Sequence, residues 1–197
     1  MPRAATARLF VAIDPPPRAR EALCAWAREA LGPVRSRGSA SEKGSGAVRP
    51  LRLLAPELLH VTICFLGSRP VEEIGAIGDL LGEHATAVGE LSVGAPLWLP
   101  PRRPRALAVE LHEPTGELAR LHDALGAALA VEEARHRRFR PHITLARMRE
   151  GVAPRARELP PTPQMEFTPT ELVLYRSWLS PEGAEYEAVG SATLVPE

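Results

Sequence analysis

Residues 59–66 read LHVTICFL and residues 141–147 read PHITLAR. Both are short, rich in β-branched and aliphatic residues, and alternate polar with apolar positions, so both read as strands. In a strand, residues i and i+2 point to the same face. His60 therefore shares a face with Thr62, and His142 with Thr144, while Val61, Ile63, Ile143 and Leu145 turn to a core. Continued without a break, the alternation puts Cys64 and Ala146 on the histidine faces, small enough to leave room for a ligand.

Around these strands the chain alternates runs of strands with single helices. Residues 8–13 (RLFVAI) form a strand that stops at Asp14 and three prolines. Residues 18–31 have helical spacing through Ala22, Leu23, Trp26 and Ala30. Residues 33–50 are Ser-, Gly- and Arg-rich and read as a flexible loop. A strand over 51–55 precedes the first motif. A helix follows it over 71–88, weakened by Gly75, Gly78 and Gly82. Residues 91–99 and 106–111 form a hairpin across the basic connection PPRRPR. A helix over 115–135 places Leu118, Leu121, Leu125 and Leu129 on one face. A proline-rich linker spans 152–163, and strands over 171–179 and 185–189 flank the turn SPEG. This order predicts an α+β fold with antiparallel sheets, in one domain over residues 1–197.

Composition narrows the function classes. The 197 residues carry 24 basic and 24 acidic side chains, so no global positive field is available to hold a long nucleic acid. A local basic patch suffices for a short RNA end. Two cysteines, Cys24 and Cys64, make neither a disulfide framework nor a metal-type spacing. No apolar run approaches the roughly 20 residues needed to span a bilayer. These features lead to the expectation of a cytoplasmic, monomeric protein with no signal peptide, metal or cofactor.

The paired motifs suit a phosphodiester. Opening a cyclic phosphate with water takes one group to accept the water proton and another to protonate the departing ribose oxygen. Imidazole serves either role near neutral pH, and a threonine hydroxyl can donate to a non-bridging oxygen as charge develops. Residue type alone leaves open which histidine is acid and which base.

Taken together, the motifs and the stretches RLFVAIDPP, LLHVTICFLG, RPRALAVEL, FRPHITLAR and LVLYRSWLSPEGAEYEAV resemble the two-histidine (2H) phosphoesterase superfamily. Within it, the chain resembles the RNA 2',3'-cyclic phosphodiesterases, also known as 2'-5' RNA ligases. That resemblance implies two similar lobes related by a pseudo-twofold around a central groove, each an antiparallel sheet with helices on its outer face. It implies hydrolysis of a terminal 2',3'-cyclic phosphate on RNA 3' ends or nucleotides to a 2'-phosphomonoester, with weak reversible 2'-5' ligation. It also implies His60 as proton donor, His142 as proton acceptor, and Thr62, Thr144 and Arg147 as substrate-binding residues. Arg147 lies at an odd offset from His142, so a bulge or a strand end must turn it toward a phosphate.

Three other readings compete. A close one acts on small nucleotides such as ADP-ribose 1'',2''-cyclic phosphate. A non-catalytic RNA-end binding module would not need two titrating groups. A metal hydrolase would need ligands beyond one histidine per motif. Residues 135–140 (RHRRFR) and Arg102, Arg103 and Arg105 are candidate basic rims for RNA, and Phe10, Phe139 and Trp178 are candidate base-stacking rings. His84 and His122 read as helix-surface residues.

Overall fold

The computed structural model describes residues 5–32, 51–131, 139–148, 158–180 and 183–194. Their strands are β1 (Thr6–Ile13), β2 (Leu51–Leu53), β3 (Val61–Pro70), β4 (Leu91–Leu99), β5 (Ala106–His112), β6 (His142–Met148), β7 (Glu166–Phe167), β8 (Glu171–Ser180) and β9 (Gly183–Thr193). The helices are α1 (Pro17–Leu31), α2 (Ile74–His84) and α3 (Glu117–Ala128). The expected loop over 33–50 and the first half of the linker over 152–163 lie outside the described residues.

Every pairing is antiparallel, and the ladder runs β7-β4-β5-β6-β3-β1-β8-β9, with β2 added alongside β6. The two motif strands are the central pair. They meet at one rung, Val61 opposite Ile143. The strands on either side repeat the same arrangement, β3-β1-β8-β9 against β6-β5-β4-β7. This is the two-lobed α+β architecture, with the pseudo-twofold passing beside that rung.

The helices cover one face of the sheet. Leu23, Cys24 and Ala27 of α1, Ile77 and Leu81 of α2, and Leu118, Leu121 and Leu125 of α3 all join the main core cluster. From the strands come Val11, Ile13, Val61, Ile63, Val109, Ile143 and Leu145. Two of the helices cross the seam. α1 leaves β1 and packs on β2 and β6, whereas α3 leaves β5 and packs on β3. The two lobes thus share one core, and the seam is held by side chains more than by its single backbone rung.

Helix ends differ from the sequence reading for local reasons. α1 starts with proline at its first turn, where no amide is needed. α2 runs only to His84, preceded by a short 3-10 turn over Val71–Glu73. α3 is shorter than its apolar period. It starts after Gly116, whose φ of 78° is left-handed, and stops before Ala130, at φ 51°. The two-residue strand β7 pairs with β4 and is too short to give a periodic signal.

Candidate active site

Each motif strand carries a β-bulge at the same place. On β3, Ala12 pairs with Thr62 but Val11 pairs with Cys64, so Ile63 is the extra residue. On β6, Ala108 pairs with Thr144 but Leu107 pairs with Ala146, so Leu145 is the extra residue. A bulge resets the alternation of faces. Both strands consequently show the same exposure sequence after the histidine: buried, half-buried, buried, buried, exposed. Thr62 and Thr144 stay on the histidine face. Cys64 and Ala146 turn into the core, which corrects the expectation that they border the site. Phe65 and Arg147 come back to the histidine face. The bulge is the device that Arg147 required.

The carbonyl of each bulge residue is satisfied from outside its own ladder. The Leu54 amide donates to Leu145 O at 2.9 Å. The His122 Nδ1–H donates to Ile63 O at 2.6 Å. His122 is buried, with its ring stacked on Phe139 at 4.4 Å between centroids. It is therefore no surface residue, and Phe139 is occupied as its packing partner. The apolar face of α3 includes this imidazole because the split in the sheet leaves a carbonyl that a side chain must reach.

The two catalytic candidates are held alike. His60 Nδ1 donates to Leu58 O at 2.8 Å, and His142 Nδ1 donates to Arg140 O at 2.7 Å. A carbonyl can only accept, so both rings are fixed with the proton on Nδ1 and with Nε2 left for exchange with a ligand. The Val61–Ile143 rung lies one residue beyond each histidine, so each ring stands near the other strand's threonine. The same register makes His60 and His142 diagonal neighbours, which in a regular ladder are about 7–8 Å apart, a span that brackets one phosphate group.

His60 sits in an aromatic nest. Its ring centroid is 5.0 Å from Phe10 and 5.2 Å from Tyr186, and Phe10 stacks on Tyr175 at 5.2 Å. Burial pushes the His60 pKa down to about 4. The bond to Leu58 O and the Asp14 carboxylate oppose this, while the Arg147 guanidinium and the His142 ring add to it. The electrostatic influence of Arg147 and His142 on His60 reaches across the seam. Cys64, by contrast, is a buried thiol pushed up to about 11, chiefly by desolvation.

Of the other candidates, Trp178 is exposed on β8 with its indole N–H on Glu185 Oε2 at 3.1 Å. Arg102, Arg103 and Arg105 lie exposed around the β4–β5 turn. Residues 135–138 lie outside the described residues, and Arg140 is ion-paired with Glu110. The residue-level reading missed Phe65, Tyr175 and Tyr186. Phe65 was hidden by the bulge, and the tyrosines by their distance in sequence from the motifs.

A family model described as the 2'-5' RNA ligase superfamily matches residues 54–178, a span containing both motifs. The chain belongs to the 2'-5' RNA ligase superfamily. Among solved structures, TT0787 of Thermus thermophilus matches this superfamily member with a TM-score of 0.74 and 28% identity, over 96% of this chain and 99% of that one. E. coli LigT complexed with 3'-AMP matches with a TM-score of 0.75 and 26% identity, over 97% and 99% of the two chains. The MHV ns2 PDE domain, at 14% identity and a TM-score of 0.50 over 87% and 99%, shares the fold alone. A comparison with curated proteins gave no match. The superfamily match leaves β1 and β9 outside its span, so Phe10, Asp14 and Tyr186 join the site only through the three-dimensional fold.

Proposed function

We propose that this superfamily member hydrolyses the 2',3'-cyclic phosphate at RNA 3' ends to a 2'-phosphomonoester. The observation that supports this best is the pair of His-x-Thr motifs on adjacent strands, with both imidazoles pinned through Nδ1 and offering Nε2. Water attacks phosphorus as His142 Nε2 takes its proton. The P–O3' bond breaks as His60 Nε2–H protonates O3', leaving a 3'-hydroxyl and a 2'-phosphate. Thr62, Thr144 and Arg147 bind the non-bridging oxygens. Burial keeps His60 neutral in the free protein at pH 7. As the donor it takes up its proton together with the substrate, whose phosphate anion favours the imidazolium. With a 5'-hydroxyl in place of water as the nucleophile, the same pair would deprotonate that hydroxyl and protonate O3', joining the two ends in the weak 2'-5' ligation of the family.

The exposed Phe65 ring, at the position on β3 equivalent to Arg147 on β6, offers a surface for the terminal base. E. coli LigT has been crystallised with 3'-AMP, ATP, NADP+ and phosphate, ligands that carry a phosphate or a nucleotide. The decisive assay incubates the protein with a cyclic-phosphate-ended oligonucleotide and identifies the product isomer. A 2'-phosphate, formed equally well in a chelator, is expected; a 3'-phosphate or no product overturns the reading. A strong preference for a mononucleotide or for ADP-ribose 1'',2''-cyclic phosphate would transfer the same chemistry to a small-nucleotide substrate.

A further inference from the structure

A second internal likeness lies beside the histidines. Residues 11–14 read VAID at the end of β1, and residues 107–110 read LAVE on β5. The two segments flank their motif strands in the same register. Ala12 and Ile13 stand opposite Thr62 and Val61, while Ala108 and Val109 stand opposite Thr144 and Ile143. One position further on, Glu110 is paired with His142, and Asp14 follows the last rung beside His60. Residues directly across a ladder share a face. A carboxylate thus stands next to each imidazole.

Each carboxylate also has its own arginine. Arg20 Nη2 lies 3.2 Å from Asp14 Oδ2, and Arg140 Nε donates to Glu110 Oε1 at 2.8 Å. Asp14 accepts a further bond from the Tyr175 hydroxyl at 2.8 Å. Neither carboxylate takes the ring proton, because Nδ1 of each histidine is already held by a backbone carbonyl. For His142 that carbonyl belongs to Arg140, the residue Glu110 ties down.

The geometry points to Asp14 and Glu110 as equivalent positioning residues, one per lobe, each acting on the histidine it faces. Asp14 acts through charge: it favours the imidazolium of His60, while Arg20 limits how strongly its charge opposes an incoming phosphate. Glu110 acts through Arg140: it fixes the backbone carbonyl that sets the orientation and tautomer of His142. The charged and titratable groups around His60 are Asp14 just after β1, Tyr175 from β8, Tyr186 from β9, and His142 and Arg147 from β6, with Arg20 of α1 paired to Asp14. Of these, Asp14 is the carboxylate and the one side chain whose charge raises the His60 midpoint, so its removal has a sign the others cannot mimic.

The catalytic consequence rests on the phosphodiesterase reading, but the positioning itself does not. The test is therefore histidine-ring NMR on the full chain without substrate. Asp14→Asn keeps the size of the side chain and deletes its charge; the titration midpoint of His60 should fall, with that of His142 unmoved. Arg20→Gln should move the His60 midpoint the other way, because it frees the Asp14 charge. Glu110→Gln should leave His60 alone and allow His142 to populate both neutral tautomers. Keeping a cation opposite native Glu110 with Arg140→Lys should retain the single tautomer. A His60 midpoint indifferent to both Asp14→Asn and Arg20→Gln overturns the first half, and an unchanged His142 tautomer in Glu110→Gln overturns the second. If the protein turns over cyclic phosphate, each carboxamide variant should lower kcat by on the order of tenfold with KM little changed, the scale of misplaced acid–base groups. Normal NMR behaviour without turnover would refute the substrate assignment and leave the positioning intact.

Discussion

His60 and His142 differ in surroundings although their backbones hold them alike. His60 lies against Phe10, Tyr175 and Tyr186, whereas His142 stands at the head of β6 beside the Glu110–Arg140 pair. This asymmetry has a kinetic signature. The pH dependence of kcat/KM reports groups of the free enzyme. With both rings protonated there is no base, so activity rises as the first proton is lost. Because His60 is pushed down to about 4, the acid limb should lie near pH 4, well below the ordinary histidine range near 6.5. A limb between pH 6 and 7 on the cyclic-phosphate substrate would show that His60 is not the low-pH group. His60→Ala and His142→Ala should each cost at least about a hundredfold in kcat, with substrate binding by Thr62, Thr144 and Arg147 largely kept. Loss of less than tenfold in either variant would remove that ring from proton transfer. At this scale the sequence was highly readable, since the His-x-Thr pairs announce themselves by type and spacing. What it could not show is the desolvation that separates the two rings, because Phe10 and the two tyrosines come from other parts of the chain.

The bulges decide what an element can present. Strict alternation would have placed Cys64 and Ala146 in the groove and Phe65 and Arg147 in the core. One extra residue at Ile63 and at Leu145 reverses that. No residue type marks the bulges, since neither contains glycine, so period alone cannot locate them. The need for one was nonetheless visible at Arg147, where a cation five positions after a site histidine makes sense only if the strand is irregular. His122 was misplaced for a related reason. Its helix position suggested solvent, but a split sheet needs a donor for the Ile63 carbonyl, and α3 supplies it. His122→Leu would keep much of the packing against Phe139 and leave that carbonyl unpaired. It should destabilise the fold by about 1–3 kcal/mol, the cost of an unsatisfied buried acceptor. Chemical denaturation measures this. His122→Asn, which can return a donor near the Nδ1 position, should recover part of the loss, whereas equal stability of His122→Leu and the native chain would show that the bond contributes nothing.

The two halves of the molecule are joined by one rung of backbone and a common core, with α1 and α3 each crossing from its own half to the other's motif strand. The α+β class was legible because the strands and helices have clear periods, whereas the two-lobed plan came from the resemblance of the motif stretches to the superfamily. The crossing of the helices was not, because periodicity reports which face is apolar and says nothing about the partner. With the site at the seam, the protonation of His60 is linked to the stability of the whole chain. An unfolded histidine titrates near 6.5, and in the fold His60 titrates at about 4. Between those values the unfolded state binds more protons, so stability is fully present above pH 6.5 and falls as pH drops toward 4. The shift corresponds to about 3 kcal/mol lost between pH 7 and pH 4. Other groups titrate over the same range, so the informative quantity is a difference. Urea unfolding at pH 7 and pH 4.5, compared between the native chain and His60→Leu, should show a smaller acid loss in the variant. Leucine keeps the contact with Phe10 and cannot take a proton. Parallel pH dependence in the two proteins would mean that His60 is solvated in the fold, and that the low-pH kinetic limb expected of it must vanish as well.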